Sequence, residues 1–271
     1  MQRFRLGILG LGNMGFALAK GVIRSGLLEK KKVWGYDLQA EKRSKAIEEL
    51  GIKVPEAAVS YLPDTSYVLV AVKPQNIKDT LEKIKDVLKE DNTIISIAAG
   101  VTTGIIEEIL GKKNSVIRVM PNTPATLGKG ISAISPGRFA GRNDMSFTEN
   151  IMKSVGSCIR VDEKFQNAVT AISGSGPAYF FLFCKHIFKT AREIGLEEEV
   201  ASLLVTETIK GAAAMISDSG HDLDELVRMV KSPGGTTEKA IMKFEEKGFE
   251  QMVGDAIKAA RDRACELEGN I

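Results

Sequence analysis

Near the C-terminal end of the chain, flexible backbone and two hydroxyl side chains stand together in one loop. The Ser232 loop, residues 232–237, reads Ser232-Pro233-Gly234-Gly235-Thr236-Thr237 and leads into a helical pattern. Its glycines have no Cβ, so their N–H groups can curl around a carboxylate. The helix behind adds unpaired N–H groups and the positive end of its dipole. The loop therefore predicts a site for a small anion, although a threonine that merely caps the helix would give the same pattern.

A second glycine-rich segment, near the N-terminus, has the spacing of a dinucleotide site. Gly10-Leu11-Gly12-Asn13-Met14-Gly15 follows a predicted strand that ends at Leu9, and it opens a predicted helix. Gly10 permits the tight turn, Gly12 lets pyrophosphate approach the backbone, and Gly15 permits close helix packing. In this strand-to-helix context, the motif predicts that residues 9–14 bind a dinucleotide; the alternative is a structural turn.

Asp37 ends the second predicted strand, 22 residues after Gly15. A carboxylate at this point accepts hydrogen bonds from the adenosine ribose. It would also repel the 2′-phosphate of NADPH, by about 1 kcal/mol per charge pair in water and about 4 at a protein surface. Asp37 therefore favours NADH. Lys42 and Arg43, one helical turn further on, either reach back to compensate or belong to a solvated helix face.

Three further strand ends are predicted to line the nicotinamide half of the cofactor, because ligands of open α/β sheets bind beyond the carboxyl ends of strands. The prolines in two of them are also ordinary loop residues, and Lys73 has a packing role as its alternative. The expected cofactor contacts at these ends are Ala71, Val72, Lys73, Pro74, Ile97, Ala98, Ala99 and Asn122.

The elements that would position these residues change character near residue 162. Before it, short apolar runs alternate with amphipathic stretches, which is the pattern of a parallel sheet with helices on its faces. After it, helical periodicity dominates, interrupted at 173–177, at Gly220-His221 and at the Ser232 loop. We expect an α/β domain over 1–162 and an all-helical domain over 163–271. The predicted strands are 6–9, 32–37, 67–72, 93–98 and 116–120, and the predicted helices before residue 162 are 13–25, 40–50, 76–88 and 102–110.

Composition narrows the partners and the compartment. The chain has 271 residues, with 37 Lys and Arg against 35 Asp and Glu, so no nucleic-acid-binding face is expected. Its three cysteines form no C-x-x-C pair, which suits a reducing compartment. No bound metal is expected. Glycines interrupt the N-terminal apolar segment, and no apolar run approaches a membrane span. These features predict a cytoplasmic protein without a membrane partner.

Six segments in order carry a resemblance to a known family: GLGNMG, AVKPQ, AAGV, RVMPNTP, SGSGPAY and SPGGTT. Together they resemble pyrroline-5-carboxylate reductase, over essentially the whole chain. The resemblance implies a Rossmann dinucleotide-binding domain, then a helical dimerisation and substrate domain. It also implies the reduction of 1-pyrroline-5-carboxylate to L-proline by NADPH or NADH, in proline biosynthesis. The implied assembly is a homo-oligomer, whose basic unit is a dimer and which is often a decamer.

The resemblance also implies roles for individual residues. The cofactor site falls on residues 10–14, Asp37, 71–74 and 97–99. The substrate site falls on the Ser232 loop (Ser232, Gly234, Gly235, Thr236, Thr237), with Thr237 next to the ring nitrogen. Two departures bear on cofactor preference: many relatives have serine or asparagine in place of Asp37, and an asparagine in a loop where this chain has Glu56-Ala57-Ala58-Val59.

The chemistry of the residues agrees with an imine substrate. Reduction of a ketone needs an acid to protonate the alkoxide, usually His, Lys or Tyr. The two histidines, His186 and His221, are expected to be structural or exposed. A cyclic imine can arrive protonated, so positioning and a hydroxyl on its N–H suffice. Thr237 is the expected catalytic residue, and Ser173 and Ser175 either line the same pocket or start a helix.

Alternative functions make different demands on the residues. A related β-hydroxyacid dehydrogenase places a lysine four residues after a glycine pair, where this chain has Phe180. Reduction of other cyclic imines and a non-catalytic NAD(P)H-binding regulator stay open, as does a purely structural oligomer. Residues 200–217, charged only at Glu207 and Lys210, predict an apolar helix in a dimer interface.

Overall fold

The computed structural model describes residues 4–268 of the chain. The chain divides into two compact units. Unit 1 comprises residues 1–177 with 259–271, and unit 2 comprises 178–258. The domain boundary expected near residue 162 stays a prediction, since the chain becomes helical at Glu163 while residues 163–177 associate with unit 1.

Unit 1 is built on one seven-stranded sheet with the order β2-β1-β3-β4-β5-β6-β7. The first five strands are parallel, β6 is antiparallel to β5, and β7 is parallel to β6. The five strands expected from the sequence are confirmed, with small shifts at their ends. The strands are β1 (Phe4–Leu9), β2 (Val33–Tyr36), β3 (Thr65–Val70), β4 (Thr93–Ser96), β5 (Val116–Met120), β6 (Gly130–Pro136) and β7 (Gly156–Arg160).

Helices cover both faces of this sheet because successive strand residues point to opposite sides. Tyr67 and Leu69 join one buried core, while Val68 and Val70 join the other. The four helices expected here are confirmed, and a fifth was missed. The helices of unit 1 are α1 (Asn13–Arg24), α2 (Ala40–Leu50), α3 (Ile77–Ile84), α4 (Thr103–Leu110), α5 (Arg142–Lys153) and the short α6 (Gln166–Val169).

The sheet has two strands beyond the five expected from the sequence, and the first of them, β6, runs antiparallel to β5. Strand β6 has the sequence GISAISP, whose small and polar residues give little hydrophobic pattern. Its Ser132 and Ser135 are nevertheless buried, and the Ser135 hydroxyl donates to the Val161 carbonyl at 2.8 Å. Gln166 donates to the same hydroxyl at 2.8 Å. Tertiary hydrogen bonds thus place polar residues in a strand that periodicity does not show.

Helical structure continues through the segment 173–177, where the sequence indicated an interruption. After α6, residues Thr170–Gly174 form a π-helical turn, and the Ser175 N–H donates to the Thr170 carbonyl at 2.8 Å. Helix α7 (Gly176–Glu193) follows directly. The helix therefore takes up one extra residue in this turn instead of ending at the glycines and Pro177.

Unit 2 is entirely helical, as expected. After most of α7 come α8 (Glu198–Asp218), α9 (Leu223–Val230), α10 (Thr236–Glu246) and α11 (Phe249–Glu268), whose end belongs to unit 1. Helix α9 starts with a capping box between Asp222 and Glu225. Phe183, Phe244 and Phe249 form an aromatic cluster with ring centroids 5.4 to 6.5 Å apart.

Helix α8 corrects one expectation. It is long and apolar enough to cross a membrane by length and composition alone, so the expectation that no apolar run approaches a span was wrong. One such helix is weak evidence for a membrane protein, because a helix buried between protein chains has the same composition. The helix expected at 200–217 is confirmed, and its interface role is taken up below.

Candidate active site

The predicted cofactor residues of unit 1 meet where the strand order reverses. Strands β1 and β3 are neighbours although β2 lies between them in sequence, which makes their carboxyl ends a switch point where ligands bind in such sheets. The Ala71 N–H donates to the Leu9 carbonyl at 2.7 Å. A Cβ on Gly10 would lie 2.5 Å from the Ala71 carbonyl oxygen. The loops after β1 and β3 are therefore in contact.

The three glycines of the N-terminal loop differ in what a side chain at each position would meet. Gly10 has a φ of +101°, which a side chain would resist. A Cβ on Gly15 would collide with the Gly10 carbonyl oxygen. A Cβ on Gly12 would meet nothing within 4 Å, and Gly12 precedes α1 without any side-chain cap. The protein itself leaves room at Gly12, in front of the free N–H groups of a helix, and a pyrophosphate fits that cradle.

The Asp37 carboxylate ties this loop to the end of β2. One oxygen accepts from the Leu11 N–H at 2.8 Å, and the other accepts from the Gln39 N–H at 2.9 Å. The Lys42 ammonium lies 3.7 Å from the carboxylate. The Arg43 guanidinium donates to the Asp37 carbonyl at 2.7 Å. Both basic side chains therefore reach back to Asp37 instead of forming a solvated helix face.

The remaining predicted cofactor contacts line the ends of β3 and β4. Val72, Pro74, Ile97 and Ala99 are partly exposed and Lys73 is exposed, while Ala98 is buried. The Ile97 N–H donates to the Val70 carbonyl at 3.2 Å, which brings the two strand ends side by side. Their cofactor contacts stay predictions, as do those of Asn13 and Met14.

Asn122, after β5, has a different environment from the one expected. Its side chain is buried and both ends of its amide are engaged. Nδ2 donates to the Ser173 carbonyl at 3.1 Å, and Oδ1 accepts from the Ile131 N–H at 2.9 Å. Both ends of the amide thus bond protein groups, whereas the sequence predicted that it contacts the cofactor.

The two serines expected in the substrate pocket differ from one another. The Ser173 hydroxyl donates to the Val169 carbonyl at 3.1 Å. The Ser175 hydroxyl is half-buried and makes no hydrogen bond within residues 4–268. Gly174 between them packs against the end of the Met120 side chain, so this turn lies at the carboxyl end of β5.

In unit 2, the Ser232 loop, predicted to hold a small anion, is a glycine turn that leads into α10. Gly234 has a φ of +69°, and a Cβ on Gly235 would collide with the Ser232 hydroxyl. The Gly235 N–H donates to the Ser232 carbonyl at 2.9 Å. Gly235 is the N-cap residue before α10, which has no side-chain cap, so neither threonine caps the helix as the alternative proposed.

At the Ser232 loop and the start of α10, the charged side chains have partners and the threonine hydroxyls do not. Glu238 accepts from the Gly234 N–H at 2.8 Å and lies 4.0 Å from the Lys231 ammonium. Thr237 is half-buried and Thr236 is exposed. Neither threonine hydroxyl has a hydrogen-bond partner in the described part of the chain. The loop therefore offers two uncommitted hydroxyls beside an uncapped helix start.

Comparison with known proteins identifies the family to which the chain belongs. Residues 163–267 match the family model described as pyrroline-5-carboxylate reductase dimerisation, and residues 5–100 match NADP oxidoreductase coenzyme F420-dependent. The pyrroline-5-carboxylate reductase of Pseudomonas aeruginosa is 38% identical over 98% of both chains. The chain belongs to the pyrroline-5-carboxylate reductase family.

Solved structures of this family share the fold over the whole chain. The pyrroline-5-carboxylate reductase of Coxiella burnetii has a TM-score of 0.90 at 33% identity, covering 98% of this chain and 99% of its own. The Plasmodium falciparum enzyme, with NADP bound, has a TM-score of 0.89 at 29% identity and covers 99% of each chain. The Rossmann domain and the helical dimerisation domain are thus those of the family.

Sequence reasoning missed one charged cluster of unit 1. Arg118 is buried in β5, and its guanidinium donates to Glu268 Oε1 at 2.7 Å and to Asn167 Oδ1 at 3.1 Å. Glu163 Oε1 lies 3.5 Å away. A lone arginine inside the apolar run VIRVM was the available signal, since a buried charge needs partners. The cluster fixes the end of α11 to the sheet.

Proposed function

We infer that this chain reduces the C=N bond of 1-pyrroline-5-carboxylate, with NAD(P)H as hydride donor, to give L-proline. The observation that carries the inference is full-length similarity to reductases of this name, in a chain that keeps the Ser232 loop with its uncommitted Thr237 hydroxyl. The cradle at Gly12 supports a dinucleotide as the partner, and no group of three metal-ligating side chains occurs in residues 4–268.

The chain's residues can supply what an imine reduction needs. A bound nicotinamide would deliver the hydride to the imine carbon, while the nitrogen keeps the proton with which it arrived. Thr237 would hold that N–H through its hydroxyl oxygen. The unpaired N–H groups at the start of α10 would bind the substrate carboxylate. Catalysis then rests mainly on positioning.

No strong acid is needed in this scheme, and the residues agree. His186 is exposed, and His221 is an exposed residue whose ring nitrogen lies 3.3 Å from Glu225. Phe180 stands where a hydroxyacid dehydrogenase would place a lysine, and it is an exposed aromatic residue. These positions favour imine reduction over reduction of a carbonyl.

Asp37 bears on the choice of cofactor. Its carboxylate still has lone pairs for the ribose hydroxyls, and it would repel a 2′-phosphate. Lys42, 3.7 Å away, weakens that repulsion. We therefore propose that both cofactors serve, with NADH the better donor. The NADP named for the Plasmodium falciparum structure belongs to that protein and leaves this preference open to measurement.

Assembly and location complete the proposal. The dimerisation match over 163–267 supports a homo-oligomer, and the apolar surface of α8 supports its place in the interface. We propose a dimer as the basic unit, a decamer as the higher-order assembly, and a cytoplasmic location.

One assay tests the reaction and separates it from the alternatives. The absorbance of NADH and of NADPH is followed after addition of pyrroline-5-carboxylate, and proline is quantified at the end. We expect cofactor oxidation that matches proline formed. Cofactor binding without oxidation would instead identify a non-catalytic regulator. Oxidation with a keto acid but not with the imine would identify the hydroxyacid dehydrogenase class.

A further inference from the structure

The turn between α6 and α7 contains a backbone group that its own helix cannot satisfy. Pro177 has no N–H, so it cannot donate to the carbonyl of Ser173 four residues earlier. Such a carbonyl, left unpaired away from water, would be destabilising. The π-helical turn over Thr170–Gly174 adds an extra residue at the same point. The segment therefore needs a donor from elsewhere in unit 1.

Asn122 supplies that donor. Its Nδ2 donates to the Ser173 carbonyl at 3.1 Å, while its Oδ1 accepts from the Ile131 N–H at 2.9 Å. In the antiparallel ladder, Met120 faces Ala133, so Asn122 stands opposite Ile131 and its side chain prolongs the ladder past the end of β5. One buried amide thus fixes the turn to the sheet.

The fixed turn presents one free hydroxyl. Ser173 donates to the Val169 carbonyl, whereas the half-buried Ser175 hydroxyl has no partner within residues 4–268. Gly174 fits against Met120, which leaves the turn at the carboxyl end of β5, where sheet ligands bind. A partly buried hydroxyl without a protein partner at such an edge is suited to a polar ligand atom.

We propose that Ser175 donates a hydrogen bond to the cyclic imino acid, and that Asn122 is a positioning residue that holds Ser175 in place instead of binding the cofactor. The inference rests on the proposed reaction. Of the two serines, only Ser175 contacts the substrate. The Asn122 amide acts indirectly, through its hydrogen bond to the Ser173 carbonyl.

The experiment compares three variants with the wild-type oligomer. Ser175→Ala removes the free hydroxyl. Asn122→Asp keeps the oxygen that accepts from Ile131 but loses the N–H donated to Ser173. We expect each to raise KM for pyrroline-5-carboxylate by about tenfold, with Kd for NADH unchanged within twofold. The double variant should be no worse than either single one, because both changes remove the same contact.

Thr170→Val is the matched control. It removes a hydroxyl from the same turn, one that donates to the Gln166 carbonyl at 2.8 Å, and it keeps the shape of the side chain. Its KM should stay at the wild-type value. Thermal unfolding of every variant separates loss of fold from loss of contact, and the Ser175→Ala result stands even where Asn122→Asp does not fold.

Several outcomes would overturn the inference. They are weaker NADH binding in Asn122→Asp with an unchanged substrate KM, additive effects in the double variant, and an effect of Ser173→Ala as large as that of Ser175→Ala. If wild-type protein does not reduce the imine at all, the proposed reaction fails. If wild type is active and Ser175→Ala behaves like wild type, only the present inference fails.

Discussion

The two units of this chain bury their apolar side chains very differently. In unit 1, large residues such as Trp34, Leu69 and Ile94 are fully buried between sheet and helices. In residues 178–258, all of which the structure describes, Ala201 is the only buried residue. Unit 1 thus has its own core, whereas unit 2 within a single chain has almost none.

The exposed side chains of unit 2 are those that normally fill a core. Phe181 is 66% exposed, and Leu203 on α8 is 64% exposed. Burying one such side chain contributes about 1.5–3 kcal/mol, so a partner surface that covers several of them would stabilise unit 2 substantially. From this comparison we expect unit 1 to fold by itself and the helical unit 2 to take much of its stability from assembly.

The largest expected effect comes from a charge in the apolar surface of α8. Ala213→Glu should split the oligomer and abolish activity together, because a carboxylate buried in an apolar interface is strongly unfavourable. Size-exclusion chromatography with light scattering and the absorbance assay measure the two properties. A well-folded monomer with full activity would contradict the interface role of α8.

A matched charge in unit 1 provides the control. Asn150 is exposed on α5, and Asn150→Glu adds the same charge to the unit that has its own core. Its oligomer size and its activity should equal those of wild type. Dissociation of this variant as well would attribute the effect of Ala213→Glu to net charge alone.

The next effect concerns chemistry in unit 2. Thr237→Ala should lower turnover by about 10- to 100-fold, equal to roughly 1.4 to 2.7 kcal/mol, and should leave the oligomer intact. Thr237→Ser restores a hydroxyl at the same place and should recover most of the rate. Equal turnover for alanine, serine and threonine at this position would remove the hydroxyl from the mechanism.

A smaller effect is confined to unit 1. Asp37→Ser should raise the ratio of catalytic efficiency with NADPH to that with NADH by about tenfold, because the 2′-phosphate no longer faces a carboxylate. Asp37→Asn removes the charge but keeps an oxygen for the Leu11 N–H, so it should shift the ratio with less loss of NADH affinity. A flat ratio in both variants would show that Asp37 does not face the ribose.

The last prediction involves no loss of activity and tests whether unit 1 stays folded without assembly. Burial raises the pKa of the Cys158 thiol on β7 from 9.0 to about 11. At pH 8, the reactive thiolate then falls from about a tenth to about a thousandth of the molecules. Cys158 should be alkylated about 100-fold more slowly in native protein than in urea, by peptide mass spectrometry. The same protection should persist in Ala213→Glu; its loss would mean that unit 1 depends on the oligomer.

Local patterns in the sequence predicted much of unit 1 and all of the helical character of unit 2. Strands β1 to β5 are apolar runs, and α1 to α4 have clear 3.6-residue periodicity. Strand β6 has neither signal, because it buries polar residues, and the hydroxyl of one of them, Ser135, bonds Val161 and Gln166 from elsewhere in the chain. The interruption predicted at 173–177 was wrong for a related reason. Glycine and proline usually end a helix, but here helical structure continues through a π-helical turn over Thr170–Gly174.

The sequence alone determined the glycine loop, the acidic end of β2 and the Ser232 loop, since each depends on a few adjacent residues and their backbone freedom. The tertiary structure decided which side chains are already engaged. Asn122 was predicted to contact the cofactor, and its amide bonds Ser173 and Ile131. The sequence left Lys42 and Arg43 open between a solvated helix face and Asp37, and in the structure both reach Asp37. Ser173 and Ser175 look alike in sequence, yet only one hydroxyl is free. Hydrogen-bond and ion-pair partners that only the folded chain brings together make these distinctions, and residue type alone does not specify them.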